Sequence, residues 1–502
     1  MSDSLVVVSP ANGNWVGQVA MTPAGDVPEV VRRARAAQPA WAARPLAERV
    51  AVLRRVRQKV LDASERIVEL VAKENGKPKH EGLLHEVMAP LELLTYFTDA
   101  APRILEPQNI PMRLMVNRAS YIHYVPRGVI GVIGPWNFPH HTPFGGVVMA
   151  LLGGNAVVLK PSEFTPLIAQ LVHGLYLEAG VPADVFQVVY GLGDVGAALI
   201  AGGVDMIEFT GSVATGRKVG VACAERMIPC VLELGGKAPA LVLPDADLTR
   251  TANAITWGGW ANAGQVCASI ERLLVHEAVY ERLVPMVVER ARALRVGDAA
   301  ESADIDIGPL VNERQLRIVE ARVADAVAKG ATVACGGHRL QRPGNFYAPT
   351  VLLDVTPDMD VLNEETFGPV VPVQKIKDEA AMIAEANRSH LGLLAYVFSR
   401  DGARARSVAE RLEVGTVMIN DVIVTNAMAE TPWGGLKQSG IGVTHSDDGM
   451  RAMCQARHVN YDLLPWLSKE PWWYPYRASD LPLLQRGLRL LYGRGLAKVF
   501  SR

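Results

Sequence analysis

The chain has 502 residues, of which 49% are hydrophobic and 21% charged, and its formal net charge is −1. That length exceeds one hydrophobic core and implies two or three domains. The near-neutral balance supplies no basic field for nucleic acid, and the composition is that of an ordinary soluble globular protein.

The opening residues Met1-Ser2-Asp3-Ser4-Leu5 lack a basic stretch leading into an apolar one, so no secretory leader is expected. Leu46, Val50, Leu53, Val56 and Val60 recur at helical spacing, with Arg49, Arg54, Arg55 and Lys59 on the other face. Ser64 is the expected N-cap of a further helix carrying Ile67, Val68 and Val71. Met112 to Tyr124 alternates like a strand and ends at a Pro126-Arg127-Gly128 turn. From Val129 to Gly236 short apolar runs at 129–133, 156–159, 185–189 and 206–210 alternate with helical stretches, as a doubly wound parallel sheet requires. A second α/β region follows from Lys237 to Gln438. The apolar segment 147–159 is broken by Gly153-Gly154-Asn155 and is too short to span a bilayer. The five cysteines show no metal-ligand spacing and fit a reducing compartment, so a cytoplasmic location and no metal site are expected.

Two glycine-rich segments compete for a phosphate-binding role. Gly191-Leu192-Gly193-Asp194-Val195-Gly196 matches the dinucleotide fingerprint but lacks an acid at the right distance. Gly211-Ser212, which ends an apolar strand and opens a helix, is preferred, because a serine beside helix N-terminal amides suits a phosphate. Lys160-Pro161-Ser162-Glu163 ends another strand, where Glu163 can accept two ribose hydroxyls and Lys160 can donate to the same sugar. Cys267 lies on a glycine-bearing turn after Glu233, which is set among leucines and glycines. A thiol there can act as a nucleophile, and a poorly solvated carboxylate suits general-base work. Each has a plainer alternative. A lone cysteine is commonly a small buried hydrophobe, and a glutamate between leucines can face water from a sheet edge.

Seven motifs in order resemble the NAD(P)-dependent aldehyde dehydrogenases from about residue 20 to 465. They are Pro135-Trp136-Asn137-Phe138-Pro139, Lys160-Pro161-Ser162-Glu163, Phe209-Thr210-Gly211-Ser212, Leu232-Glu233-Leu234-Gly235-Gly236, Gly264-Gln265-Val266-Cys267, Glu364-Glu365-Thr366-Phe367-Gly368-Pro369 and Pro432-Trp433-Gly434-Gly435. The resemblance implies an α/β fold with a Rossmann-type cofactor domain (1–102 and 127–236), an α/β catalytic domain (237–438) and a small bridging β-element (103–126 and 452–463). A C-terminal extension covers 464–502. It further implies Cys267 as nucleophile, Glu233 as general base and Asn137 as oxyanion donor. Trp136, Lys160, Ser162, Glu163, Gly211, Ser212, Glu365 and Phe367 would meet the cofactor. The implied reaction oxidises an aldehyde to a carboxylic acid through a thiohemiacetal and a thioester. NAD is the expected cofactor, with NADP a poorer alternative because Glu163 repels a 2′-phosphate. A homodimer or homotetramer is expected. A non-catalytic nucleotide-binding relative is the alternative against which the intact Cys267, Glu233 and Asn137 argue. Three departures bear on substrate: Trp433 where phenylalanine is commoner, His140-His141, read as surface or loop filler, and the segment 442–447.

The tail runs beyond the usual end of that family. Pro471-Trp472-Trp473-Tyr474-Pro475-Tyr476 is followed by a helix capped at Ser479 with Leu481, Leu484, Leu488 and Leu491 on one face. Residues 477–502 carry six basic side chains against Asp480 alone. The tail is read as an ordered arm whose tryptophans are buried against the protein body. A lid over the substrate tunnel and an interfacial helix of a membrane-peripheral lipid-aldehyde dehydrogenase are the alternatives.

Overall fold

The computed structural model describes residues 4–493; Met1, Ser2 and Asp3 at the start and Arg494, Lys498 and Arg502 of the tail lie outside the described residues. The chain divides into a large unit, 1–104 with 126–455, and a small one, 105–125 with 456–502.

The cofactor-type sheet of the large unit has six strands in the order Gly440–Ile441, Cys230–Glu233, Met206–Thr210, Val129–Ile133, Ala156–Lys160 and Phe186–Val188. All pair in parallel except the short Gly440–Ile441 edge. Val129–Ile133 comes first in sequence among the parallel strands yet lies in the middle. The chain winds outward to Phe186–Val188, then crosses back to build Met206–Thr210 and Cys230–Glu233. The C-terminal ends of Val129–Ile133 and Met206–Thr210 therefore flank the reversal of strand order, where open α/β sheets place their ligand crevice. These strands read as continuous apolar runs because helices cover both faces.

The second sheet has seven strands, with Ile270–His276 and Ala238–Val242 near its centre and Val370–Ile376, Leu394–Phe398 and Thr416–Ile419 around them. Only the pairing of Thr332–Cys335 with Thr350–Leu353 is antiparallel. The small unit holds a three-stranded sheet in the order Cys454–Asp462, Arg118–Pro126, Gln108–Ile110. Glu470 accepts there from Asn117 Nδ2 at 3.0 Å and from an Arg118 guanidinium N–H at 2.8 Å.

Several expectations are corrected. Arg49, assigned to the polar face of the helix Leu46–Asp62, is buried. Its guanidinium donates to the carbonyls of Leu152, Ala42 and Arg44, which lets a charge enter an apolar face. Ser64 is the first helical residue rather than the cap, which is Ala63 without a side-chain bond. The strand expected from Met112 begins only at Arg118. Ser479 stands at the N-cap of Asp480–Tyr492 but in helical φ/ψ, and its side chain bonds no backbone N–H. The tail tryptophans are not buried: Trp472 and Trp473 are 44% and 48% exposed, and no residue of Asp480–Tyr492 is buried.

Candidate active site

The loop carrying Cys267 is built by unusual backbone. After the helix Leu248–Trp260, Asn262, Ala263 and Gly264 are successive left-handed residues with φ of 50°, 56° and 71°. Such a run persists only when its surroundings over-determine it. Glu81 accepts the Asn262 N–H at 2.9 Å, Asn262 Nδ2 donates to the Gln265 carbonyl at 3.2 Å, and Gln265 Oε1 accepts the Val311 N–H at 2.8 Å. A Cβ at Gly264 would stand 2.1 Å from the Gly368 carbonyl oxygen, so glycine is needed there for space as well as for φ. The loop delivers Cys267, only partly covered, into a cavity of about 290 Å³.

Glu233 ends its strand in the same cavity. It is 4% exposed, and neither carboxyl oxygen has a hydrogen-bond partner among the described residues. Burial, and then the charge of Glu208, push its carboxyl well above the ordinary range. The Cys267 thiol is pushed up to about 12 by burial and then by Glu365 and Glu233. Asn137 lies in the turn after Val129–Ile133 and donates from Nδ2 to the Gln265 carbonyl at 3.0 Å, which aims the amide at the Cys267 loop. One of its two N–H groups is used in that bond, leaving the second as a donor.

The turn 137–141 is fixed by charges that no short motif revealed. Lys77 and Glu86 form a fully buried ion pair, and Lys77 Nζ donates to the Asn137 carbonyl at 2.8 Å. Glu86 Oε2 accepts the N–H groups of His140 and His141 at 3.0 and 3.1 Å. The surface reading of His140-His141 is thereby corrected: both are buried, and His140 Nδ1 lies 2.6 Å from the Glu86 carbonyl oxygen. Burial drives the His140 ring down to about 4, so it is neutral and structural. Among the described residues no group of three or more metal-ligating side chains forms.

The same device holds another wall of the cavity. Lys237 and Glu271 pair in the interior, and Glu271 accepts the N–H groups of Thr366 and Phe367, each at 2.8 Å. That fixes Phe367 at a φ of 52° and sets its ring edge-on to Trp136, with centroids 5.4 Å apart. Glu365 accepts the Gly236 N–H at 3.0 Å. Its carboxyl is pushed up to about 8 by burial, then by Glu271, against opposition from Gly236 and Lys237. Gly235 leaves room for it, since a Cβ would meet a Glu365 oxygen at 2.5 Å.

Of the competing glycine segments, Gly211-Ser212 lines the cavity and Gly191–Gly196 does not. Ser212 caps the helix Val213–Glu225 by accepting the Thr215 N–H at 3.3 Å, donates its hydroxyl to Thr215 Oγ1 at 3.0 Å and is itself exposed, so the helix N-terminus is open to an anion. Lys160, Ser162 and Glu163 do not line the cavity. They stand at the end of Ala156–Lys160, two strands over, with Lys160 Nζ 3.5 Å from Glu163 Oε2 and the Ser162 hydroxyl accepting the Phe164 N–H at 3.3 Å. The residues at these strand ends thus fit a dinucleotide: an open helix N-terminus, an acid–lysine pair two strands away, and an aromatic pair lining the same cavity as the thiol. Met149, Glu208, Trp433, Thr444 and His445 also line the cavity, and of these Glu208 belongs to no pattern that would mark it as a site residue.

The model of the aldehyde dehydrogenase family matches residues 1–459. The chain is 38% identical over 494 residues to 4,4'-diapolycopene aldehyde oxidase of Methylomonas sp, covering 98% of this chain and 92% of that protein. It is 37% identical over 459 residues to succinate-semialdehyde dehydrogenase [NADP(+)] of Escherichia coli (strain K12), covering 91% and 94%. A solved NAD-dependent aldehyde dehydrogenase from Sinorhizobium meliloti superimposes with a TM-score of 0.88 at 35% identity, over 93% of this chain and 92% of that one. Their cofactors differ by name, which leaves NAD and NADP both within the group. The chain belongs to the aldehyde dehydrogenase family, enzymes that use NAD or NADP to oxidise aldehydes to acids.

Proposed function

We propose that Cys267 is the nucleophile, Glu233 the base that activates water, and Asn137 with the Cys267 N–H the donors to the oxyanion, with NAD as preferred cofactor. What carries this is the meeting of Cys267, Glu233 and Asn137 in one cavity with Ser212, Glu365 and Phe367. Cys267 Sγ adds to the aldehyde carbon, and the S–H proton passes to solvent water as the C–S bond forms. The resulting alkoxide is held by the free Asn137 N–H and the Cys267 amide. When bound, the nicotinamide nucleotide supplies the acceptor for the hydride that this adduct loses on becoming a thioester. Glu233 then takes a proton from water as the hydroxide adds to the thioester carbon. Collapse breaks the C–S bond and releases the carboxylic acid and the thiol. Trp136, Gly211, Ser212, Glu365 and Phe367 would hold the nucleotide along the crevice, with Lys160, Ser162 and Glu163 at the adenosine ribose.

The substrate we propose is a neutral, largely apolar aldehyde. Among the described residues lining the cavity there is no lysine or arginine, whereas Glu208, Glu233 and Glu365 are present, and Phe138, Met149, Ile318 and Trp433 supply apolar walls. A substrate carboxylate would be buried there without a cationic counter-ion, which disfavours it. Values of kcat/KM for neutral and carboxylate-bearing aldehydes of equal length, each with NAD and NADP, test both points. The neutral aldehyde is expected to win by about 10²-fold. NAD is expected to win by about tenfold through Glu163. Equal or better use of the charged aldehyde, or of NADP, would overturn the corresponding assignment.

A second reading, favoured by the tail, places the enzyme at a membrane surface. Trp466, Trp472, Trp473, Tyr474 and Tyr476 are exposed, as are Leu481, Leu483, Leu484, Leu488 and Leu490. Arg477, Arg486 and Arg489 stand among them, and by sequence Arg494, Lys498 and Arg502 follow. Aromatic rings, leucines and cations together suit an anionic lipid interface. Among the described residues no helix is long and apolar enough to cross a membrane, so surface contact is what is proposed. The Methylomonas relative, matched over 98% of this chain with the tail included, is named for 4,4'-diapolycopene aldehyde. Flotation with vesicles rich in anionic lipid is expected to carry the full chain and not a chain lacking 471–502. Equal flotation of both, or of neither, contradicts this. Self-association is proposed through the exposed edge strand Cys454–Asp462.

A further inference from the structure

Glu208 lies in the strand beside the one that ends in Glu233, and the reaction just described makes no use of it. The two strands run parallel with Glu208 opposite Val231 and Thr210 opposite Glu233. Side chains two apart on a strand share a face, so Glu208 and Glu233 project to the same side as diagonal neighbours. Both line the cavity, at 4% exposure each. Glu208 Oε2, like both oxygens of Glu233, has no hydrogen-bond partner among the described residues. Space for it comes from the helix His141–Leu152, where a Cβ at Gly146 would fall 1.7 Å from Glu208 Oε2. A carboxyl so placed has little structural use, because a buried acid without donors costs stability unless it stays neutral.

The electrostatic surroundings are simple. Besides Glu208 and Glu233, the ionisable groups among the described residues lining the cavity are Cys267, Glu365 and His445. His445 is kept neutral by burial, which drives its ring down to about 3. The strand Val129–Ile133 brings no charge, the packing helix His141–Leu152 brings only His141, and Arg217 and Lys218 of Val213–Glu225 are exposed. Burial pushes Glu208 up to about 8, and its charge is the one carboxylate influence that lifts Glu233 beyond burial alone.

We propose that Glu208 is a positioning residue for thioester hydrolysis. Its carboxyl, facing Glu233 across neighbouring strands in the same cavity, sets the pH above which Glu233 can take a proton from water. Two close carboxyls titrate as a pair: the first proton to leave makes a monoanion, and with that charge on Glu208 the second proton is held on Glu233 to higher pH. Removing Glu208 leaves Glu233 without a like-charged neighbour, and its ionisation then moves to lower pH. Deacylation would become available under more acidic conditions, but with a weaker base on the plateau.

This rests on Glu233 as the water-activating base, and the test separates the two ideas. The decay of the acyl-enzyme is followed by rapid quench and intact mass from pH 5 to pH 10, the range that brackets about pH 8 for Glu208, in wild type, Glu208→Gln, Glu208→Asp and Glu233→Gln. For Glu208→Gln the midpoint of the deacylation profile is expected to fall by about 1 pH unit or more, with a lower plateau. Glu208→Asp, which keeps the charge on a shorter stem, should restore most of the wild-type midpoint. A midpoint that Glu208→Gln leaves in place, or that Glu208→Asp fails to restore, overturns the proposal while Glu233→Gln still slows decay. If Glu233→Gln decays as fast as wild type, it is the assignment of the base that has failed.

Discussion

Replacing Cys267 by alanine is expected to lower turnover by about 10⁴-fold or more, because without the sulfur no covalent adduct can form. Binding of the nucleotide should survive, since Ser212, Glu365 and Phe367 are anchored independently of the thiol. The Lys237–Glu271 pair and the Thr366 and Phe367 amides hold that side of the cavity, and none of these bonds involves Cys267. The loop itself should also survive, because its left-handed residues are tied through Glu81 and Gln265. Stopped-flow NADH absorbance with parallel titration of NAD fluorescence quenching checks both halves. Turnover within about tenfold of wild type would rule out Cys267 as the nucleophile.

Glu233→Gln should behave differently, with the two half-reactions coming apart. Addition and oxidation need Cys267 and the oxyanion donors, so one NADH per active site should appear in a burst. Hydrolysis needs the base, and the steady rate after the burst should fall by about 10²–10³-fold. Glu233 is raised above its ordinary range by burial and then by Glu208, so it is protonated and idle at low pH and becomes a base as pH rises. The slow phase of the wild type should therefore accelerate with pH, and that acceleration should be absent from Glu233→Gln. A variant that loses the burst and the steady rate equally would place Glu233 in addition rather than in hydrolysis.

The parallel strands were legible because short apolar runs bounded by glycine and proline leave few alternatives, and Val129–Ile133, Ala156–Lys160 and Met206–Thr210 form where expected. The assembly of Asn137, Ser212, Glu233, Cys267 and Glu365 around one cavity follows from strand order, since each sits just past a strand or in a loop at the same end of a sheet. The charged supports were not legible. Lys77, Glu81, Glu86 and Glu271 are scattered through a loop, helices and a strand and resemble surface residues until the fold buries the acids against backbone N–H groups and Lys77 against the Asn137 carbonyl. His140 and Arg49 misled for the same reason: polarity in sequence is outweighed when carbonyls or a carboxylate wait inside. Glu208 comes too soon after Gly191–Gly196 to be that fingerprint's acid, and a single acid in an apolar strand has no other spacing to mark it. In the tail the leucine spacing gave the helix, but spacing alone does not say what covers a face. The tryptophans expected to be buried stand half exposed.

Acyl transfer is proposed to run through Cys267, with release by Glu233. Glu233→Gln mixed with NAD and a neutral aldehyde, quenched after the burst and analysed by intact mass and peptide mapping, tests it most directly. The expected result is a gain equal to the aldehyde less two hydrogens, confined to the peptide bearing Cys267, with Cys223, Cys230, Cys335 and Cys454 unmodified. No adduct during the burst, or one carried by any other residue, would contradict it.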